Sequence, residues 1–128
     1  MKTFDELKVF IELKATEYEA IDEGENYENL WQCEMIDTAV FKEIAIFALN
    51  EGLVLEGVDL AFYVENFSKP VPDEADEDEW YDMMTGLEND VRDAMWELAE
   101  QKKLPERTQR LYDLWQRSFY PKFYGEDS

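Results

Sequence analysis

The sequence predicts an all-α protein, a small elongated bundle of about five helices with an acidic exposed face. Apolar residues recur three and four positions apart along most of the chain, which is typical of amphipathic helices, and no stretch with strand periodicity reaches strand length. Acidic residues outnumber basic ones by 32 to 12, so the formal net charge is −20. With 128 residues, 45% of them hydrophobic, the chain can bury one core. We therefore expect a single acidic helical domain over residues 1–128.

The first helix is predicted to begin at Thr3. Thr3 and Glu6 form a capping-box pair, in which each side chain satisfies a free backbone amide of the first turn. Its apolar residues follow at helical spacing: Leu7, Phe10, Ile11, Tyr18 and Ile21. An acidic loop is expected after it, at residues 22–26.

Two separate helices are predicted between this loop and Gly52. The first is short and contains Trp31. The second is long, begins at Asp37 or Thr38 as its cap, and is apolar over more than half of its circumference, so we expect it to be the most buried helix. Gly52 ends it, because glycine accepts the left-handed conformation past a helix end.

Three more helices are expected in the second half. A short helix capped by Asp59 is followed by an acidic loop and helix start at residues 73–79. The longest helix is predicted from its cap at Asp76 to about Lys103. Its apolar residues alternate steps of four and three: Trp80, Met84, Leu87, Val91, Met95 and Leu98. A last helix begins at Pro105.

Charge is distributed unevenly along the chain. Residues 1–101 contain 28 acids and 6 bases, whereas residues 102–128 contain 4 acids and 6 bases. The second segment ends in a C-terminal aromatic tail over residues 119–128. Most of the uncompensated negative charge therefore belongs to the helices before residue 102.

The composition excludes several kinds of site. The absence of histidine excludes Ser-His-Asp and Cys-His nucleophiles and histidine-ligated zinc. Cys33 is the only cysteine, so an intramolecular disulfide and a multi-cysteine metal site are also excluded. The acidic run at residues 73–79 lacks the glycine of a calcium loop, and the isolated glycines form no phosphate-binding pattern. We expect no enzyme activity, no cofactor and no metal.

The chain begins with acidic residues where a signal peptide would carry an apolar run. Its longest apolar run, residues 44–49, is far shorter than the ~20 residues that a membrane span requires. A cytoplasmic protein without membrane contact is therefore expected. Its charge would repel nucleic acid and anionic lipid, so the expected partner is a basic protein.

The candidate interface is a set of acids on the predicted long helix, largely opposite its apolar stripe. These acids are Glu77, Asp78, Asp82, Asp90, Asp93, Glu97 and Glu100. A second row is predicted near the end of the first helix, with Glu17, Glu19, Asp22, Glu23 and Glu25. Carboxylates three or four residues apart on a helix lie about 4.5–6 Å apart along its axis, which resembles the spacing of phosphates in DNA. The magnitude of the net charge, 20, also exceeds the roughly 2–8 that usually secures solubility. This excess favours the interpretation that the negative charge serves to bind a partner.

The aromatic residues are expected to belong mainly to the core. They include Trp31, Phe41, Phe47, Trp80, Trp96 and Trp115. Trp96 adjoins the core-phased Met95, and together with Met83 it is a candidate for a self-association patch. A homodimer is therefore left open.

Four segments in the middle of the chain follow one another in a characteristic order. They are Ile46-Phe47, the segment from Glu56 to Phe62 (Glu-Gly-Val-Asp-Leu-Ala-Phe), Pro72-Asp73, and the acidic helix from Asp90 to Gln101 with Met95-Trp96-Glu97-Leu98. In this order they resemble the phage Ocr proteins, named for overcoming classical restriction, and the resemblance spans about residues 4–101. It implies an all-α, elongated, usually dimeric inhibitor that occupies the DNA-binding groove of type I restriction–modification enzymes. The basic, aromatic C-terminal part departs from that family.

The sequence therefore predicts a DNA mimic that blocks a DNA-binding host defence protein, such as a type I restriction–modification enzyme. An immunity or anti-CRISPR-type inhibitor, which docks on one basic nuclease through a defined hot spot, is the alternative. A third hypothesis is that the chain is an acidic domain without a DNA-related partner.

Overall fold

Five α-helices make up the part of the chain that the structure, a computed structural model, describes: residues 2–21, 27–67 and 69–120. In chain order they are α1 (Phe4–Ala20), α2 (Tyr27–Asn50), α3 (Leu60–Asn66), α4 (Glu77–Glu100) and α5 (Glu106–Phe119). No strand occurs within the described ranges. The prediction of a small all-α bundle of about five helices is confirmed.

Three predicted helix starts are confirmed by side-chain hydrogen bonds. At α1, the Glu6 amide donates to Thr3 Oγ1 at 3.2 Å and the Thr3 amide donates to Glu6 Oε1 at 3.1 Å, which completes the capping box. Asp59 accepts from the Phe62 amide at the start of α3, at 3.0 Å. Asp76 accepts from the Glu79 amide at the start of α4, at 3.1 Å. Short-range capping chemistry was therefore sufficient to locate these boundaries.

The prediction of two helices between residue 27 and Gly52 is wrong, because α2 is one continuous helix of 24 residues. Asp37 lies in its interior and is not a cap. Its carboxylate accepts hydrogen bonds from Trp115 and Tyr120, which lie on or just after α5. The partners of the Asp37 carboxylate are therefore these distant donors and not a backbone amide at a helix start.

The predicted end of the longest helix lies three residues too late. α4 ends at Glu100, and Lys102 adopts the left-handed conformation with φ 57°. The Lys103 amide then donates to the Leu98 carbonyl at 2.8 Å, a bond that reverses the chain direction and closes the last turn. α5 follows after Pro105, as predicted.

α2 lies at the centre of the bundle, where it packs against α1, α3 and α5, whereas α4 packs against α3 and α5. α2 contributes the largest share of buried residues, which confirms its predicted position. Cys33 is also buried there, with 2% of its surface exposed. Within the described residues, no helix combines the length and the apolar character that crossing a bilayer requires.

The aromatic residues divide between core and surface. Phe41, Phe47 and Trp115 are buried, and Phe41 and Trp115 pack with ring centroids 5.7 Å apart. Trp31, in contrast, exposes 58% of its surface, so the expectation of a core position is wrong for it, whereas Trp96, expected at the boundary of the core beside Met95, exposes 50%. Phe119, predicted as the start of a tail, is the buried last residue of α5, and residues 121–128 lie outside the described part of the chain.

Candidate interface for a basic partner

The candidate interface is built on α4, whose sequence gives it one apolar and one acidic side. Its cap, Asp76 Oδ1, accepts from the Glu79 amide at 3.1 Å. Acids in the first turn stabilise the positive end of the helix dipole. Val91, Met95 and Ala99 are buried and hold the opposite side of the helix against the bundle. Hydrophobic burial thus fixes which way the acids face.

Arg92 is the only basic residue between Glu77 and Glu100, and it turns inward. Its Nη1 lies 3.2 Å from Asp37 Oδ2 and its Nε lies 3.7 Å from Glu88 Oε2. Its guanidinium carbon lies 4.5 Å from the centroid of the Phe41 ring, a cation–π distance. The single cation of α4 is therefore used in holding the helix to α2.

Asp37 joins α5 to the same network. Trp115 Nε1 donates to Asp37 Oδ1 at 3.0 Å, and the Tyr120 hydroxyl donates to the same oxygen at 3.1 Å. Burial and the neighbouring Asp37 carboxylate raise the pKa of the Tyr120 hydroxyl far above its ordinary value, since an anionic phenolate there would be poorly solvated and repelled.

Tyr63 joins α3 to α4 through Glu88. Its hydroxyl donates to Glu88 Oε1 at 2.8 Å, while its ring lies 6.3 Å from that of Phe41. Burial, followed by the charge of Glu88, raises the pKa of Tyr63 well above its ordinary value. Four helices are thus tied together by one polar network inside an otherwise apolar core, which we call the Asp37 network: Asp37, Tyr63, Glu88, Arg92, Trp115 and Tyr120.

The acids predicted on α4 all have exposed side chains. They are Glu77, Asp78, Asp82, Asp90, Asp93, Glu97 and Glu100. Among the residues that the structure describes, none of these seven carboxylates has a cation within 4.0 Å. Their charge is therefore not neutralised within the described part of the molecule.

Helix geometry separates Glu77 from the other six acids. Glu77 and Met95 are 18 residues apart, about five full turns, so Glu77 shares its direction with a buried residue. It is exposed because it belongs to the first turn. The other six point away from the buried stripe, and we call them the outer acids of α4: Asp78, Asp82, Asp90, Asp93, Glu97 and Glu100.

The outer acids of α4 form two groups along the helix. The first group is Asp78 and Asp82. About 12 Å of helix axis separates Asp82 from Asp90, where the second group begins, and the outward positions between them are the neutral residues Thr85, Gly86 and Asn89. From Asp90 to Glu100, four carboxylates occur over about 15 Å, or one per roughly 5 Å. A single DNA strand carries one phosphate per about 3.4 Å of axis. The second group therefore approaches the linear charge density of a DNA strand. The first group does so as well when Glu79, another exposed acid of the first turn, is counted, because Asp78, Glu79 and Asp82 span only about 6 Å.

The predicted second row is only partly described. Glu17 and Glu19 are exposed on the last turns of α1, and Glu17 is paired with Lys14 at 2.9 Å. Asp22, Glu23 and Glu25 lie outside the described residues. α1 packs against α2 and α5, and it approaches the C-terminal end of α4 through its first turns, where Phe4 and Lys8 line a cleft with Ala99 and Glu100, whereas Glu17 and Glu19 lie on its last turns. The packing therefore does not join Glu17 and Glu19 to the outer acids of α4.

Met83 and Trp96 do not form the predicted self-association patch. Both are exposed, at 44% and 50%, but they are 13 residues apart on one helix. That spacing separates them by about 20 Å along the axis and about 140° around it. Each is an isolated apolar side chain beside the outer acids of α4.

An exposed apolar surface occurs instead at the start of α2. Tyr27, Trp31 and Met35 follow each other at steps of four residues, with exposures of 90%, 58% and 52%, and Leu30 lies beside them. We call these four residues the α2 aromatic patch. Sequence reasoning assigned Trp31 to the core and missed the patch, although Tyr27, Trp31 and Met35 show its spacing once the region is read as one helix.

The Asp37 network was missed as well. One signal was present in the sequence, because Glu88 and Arg92 are four residues apart at the edge of the apolar stripe of α4. The partners from α2, α3 and α5 had no such local signal.

The chain was compared with protein-family models, with curated proteins and with solved structures, and none of them matches it.

Proposed function

We propose that the outer acids of α4 are a DNA-mimicking surface, which binds the DNA-binding groove of a basic host defence protein such as a type I restriction–modification enzyme. The observation that carries this proposal is the inward position of Arg92, which leaves α4 with the six outer acids, the exposed Glu79 and no outward cation. The class of target comes from the resemblance to the phage Ocr proteins.

The proposed mechanism is competition and involves no bond making. Lysine and arginine side chains that normally neutralise phosphates would pair with the outer acids of α4, and both surfaces would release counterions. The field of a chain with a net charge of −20 would speed association with a cationic groove at low salt. The affinity should therefore be spread over many weak contacts.

Neutralising one group of acids tests the proposal. The variant carries Asp90→Asn, Asp93→Asn, Glu97→Gln and Glu100→Gln. Because exposed ion pairs contribute about 0–1 kcal/mol each, we expect affinity for a purified type I restriction–modification enzyme to fall roughly 10–100-fold. The measurement is the concentration of this protein that displaces a fluorescent DNA duplex from the enzyme, at several salt concentrations.

A control variant removes the same number of charges from other exposed acids. It carries Glu12→Gln, Glu51→Gln, Glu56→Gln and Glu74→Gln, none of which lies on α4. The control should displace the duplex almost as well as the original protein. Equal losses in the two variants would mean that only net charge matters, and a lack of displacement by the original protein would refute the proposal for this class of enzyme.

The α2 aromatic patch favours a second candidate, an immunity or anti-CRISPR-type inhibitor that docks on one basic nuclease. Exposed tryptophan and tyrosine side chains are frequent hot spots of protein interfaces, where single truncations cost 2 kcal/mol or more. Here Trp31 and Tyr27 project from one face of α2.

The two candidates predict different responses to Trp31→Ala. A DNA mimic that uses α4 should keep its affinity within about twofold, whereas a hot-spot inhibitor should lose about 30-fold or more. Val54→Ala is the control, because Val54 is also an exposed apolar side chain but lies outside α4 and outside the α2 aromatic patch. The binding affinity of both variants for one purified basic nuclease separates the two candidates.

A further inference from the structure

A basic cleft lies where the first turns of α1, the C-terminal end of α4 and α5 come together. Its volume is about 540 Å³, within the range of roughly 300–1,000 Å³ that is usual for small-molecule sites. Lys8 of α1 and Arg110 and Arg117 of α5 line it. The aromatic ring of Phe4 and the side chain of Leu114 form apolar parts of its wall.

Three cations surround the Phe4 ring. Lys8 Nζ, Arg107 Cζ and Arg110 Cζ lie 5.6, 5.7 and 5.3 Å from its centroid. Like charges gathered around one ring repel each other. A bound anion would relieve that repulsion.

These cations lack carboxylate partners in a strongly acidic protein. Within the described residues, four cations in or beside the cleft have no carboxylate oxygen within 4.0 Å: Lys8, Arg107, Arg110 and Arg117. Lys102 also lines the cleft, but it is paired with Asp113. Elsewhere in the described chain Lys2, Lys14, Lys69 and Arg92 are each paired with an acid, whereas Lys42 and Lys103 are not. Acids outnumber bases by 32 to 12, so a shortage of carboxylates does not explain the unpaired cluster.

The residues that line the cleft restrict the class of ligand that it can bind. Guanidinium groups bind phosphate oxygens through paired N–H donors, and an apolar wall accepts an aromatic or aliphatic body. Glu100 and Asp113 also line the cleft, and Asp113 is neutralised by Lys102 at 3.5 Å. The free Glu100 carboxylate would repel a long polyanion more than a compact anionic group.

We infer that the basic cleft binds a small organic phosphate monoester, with its phosphate on Arg110 and Arg117 and its apolar or aromatic substituent against Phe4 and Leu114. Lys8 adds a third positive charge on the α1 side. The site shares Glu100 with the outer acids of α4, but its proposed phosphate-binding residues lie on α5 and α1, so it does not depend on the proposed DNA mimicry.

Titration of the full chain with phenyl phosphate, followed by two-dimensional ¹H–¹⁵N NMR at low salt, tests the inference. We expect saturable shifts in the first turns of α1, the end of α4 and α5. Inorganic phosphate should bind the same residues more weakly, because it lacks the aromatic body. Phe4→Leu should reduce the difference between the two probes, with far-UV circular dichroism as the check on folding.

A charge-matched pair of variants completes the test. Arg110→Gln with Arg117→Gln should weaken phenyl phosphate binding by about tenfold or more, since both charge-assisted hydrogen-bond donors are lost. Lys42→Gln with Lys69→Gln removes the same charge from positions outside the cleft and should change binding less than about twofold. Equal weakening in both variants would overturn the inference. So would a lack of saturation below about 10 mM phenyl phosphate, or binding of a DNA duplex to these residues without binding of phenyl phosphate.

Discussion

At the scale of single residues, Asp37 is the polar centre of the core. Its two carboxylate oxygens receive an arginine, a tryptophan N–H and a tyrosine hydroxyl, all between 3.0 and 3.2 Å. A buried carboxylate is stable only when its lone pairs are satisfied, and these three donors come from α4, from α5 and from the residue after α5. Asp37 therefore controls how those elements meet α2.

Asp37→Ala should lower the free energy of unfolding by about 2–4 kcal/mol. The change leaves the half-buried Arg92 without its acceptor and removes the hydrogen bonds from Trp115 and Tyr120. Urea denaturation at neutral pH measures the loss. Glu65→Ala is the control, because its pair with Lys69 is exposed and should contribute less than about 1 kcal/mol. Similar losses in both variants would show that the Asp37 network contributes no special stability.

Tyr63 and Tyr120 make the free energy of unfolding depend on pH in the alkaline range. Both phenols have a pKa raised by burial above the ordinary value of 10.0, so the folded state keeps its protons while the unfolded state loses them. The stability from these protons is fully present below about pH 10 and is lost as the pH rises toward the folded pKa. Each tyrosine should then reduce stability by about 1.4 kcal/mol per pH unit.

Tyr63→Phe tests this dependence. At pH 7 the variant should lose about 1 kcal/mol, because the hydrogen bond to Glu88 disappears. Above about pH 10 its stability should fall less steeply than that of the original protein, since one of the two linked protons is gone. Urea midpoints at pH 7, 9, 10 and 11 give both slopes, and parallel slopes above pH 10 would contradict the assignment.

At the scale of elements, helix boundaries follow local chemistry where side chains cap the backbone. The end of α4 is different, because Lys102 occupies a left-handed conformation that usually belongs to glycine. Its amide donates to the Ala99 carbonyl at 3.1 Å. The sequence contained no glycine to mark this stop, which explains why the helix was predicted to continue.

Lys102→Gly should be more stable than Lys102→Ala by about 1 kcal/mol. Both variants lose the pair with Asp113, so their difference isolates the conformation of the backbone. In a regular helix the order would be reversed, because alanine is the better helix former. Thermal unfolding of the two variants decides between these orders.

At the scale of the whole molecule, a net charge of −20 opposes folding. The six ion pairs of the described residues use five cations and leave most of the exposed acids without a cation within 4.0 Å. The buried apolar cluster that runs from α1 to α5 must therefore outweigh substantial self-repulsion.

Added salt should stabilise this protein. Between about 0.1 M and 1 M NaCl the screening length falls from roughly 10 Å to 3 Å, which weakens repulsion among exposed carboxylates. The urea midpoint should rise over this range. The variant with four neutralised acids at positions 90, 93, 97 and 100 should start with a higher midpoint and gain less from salt. A midpoint that does not respond to salt would show that self-repulsion is negligible.

The helical class, most helix boundaries and the exposed acids of α4 could be predicted from the sequence, because caps and periodic patterns act between residues a few positions apart. The continuity of α2, the Asp37 network and the basic cleft were decided by tertiary structure. Trp115 and Tyr120 reach Asp37 across 78 and 83 positions of sequence. The cations of the cleft likewise come from opposite parts of the chain, α1 and α5. Such contacts depend on which faces the helices present to one another, and that choice is made by packing the core.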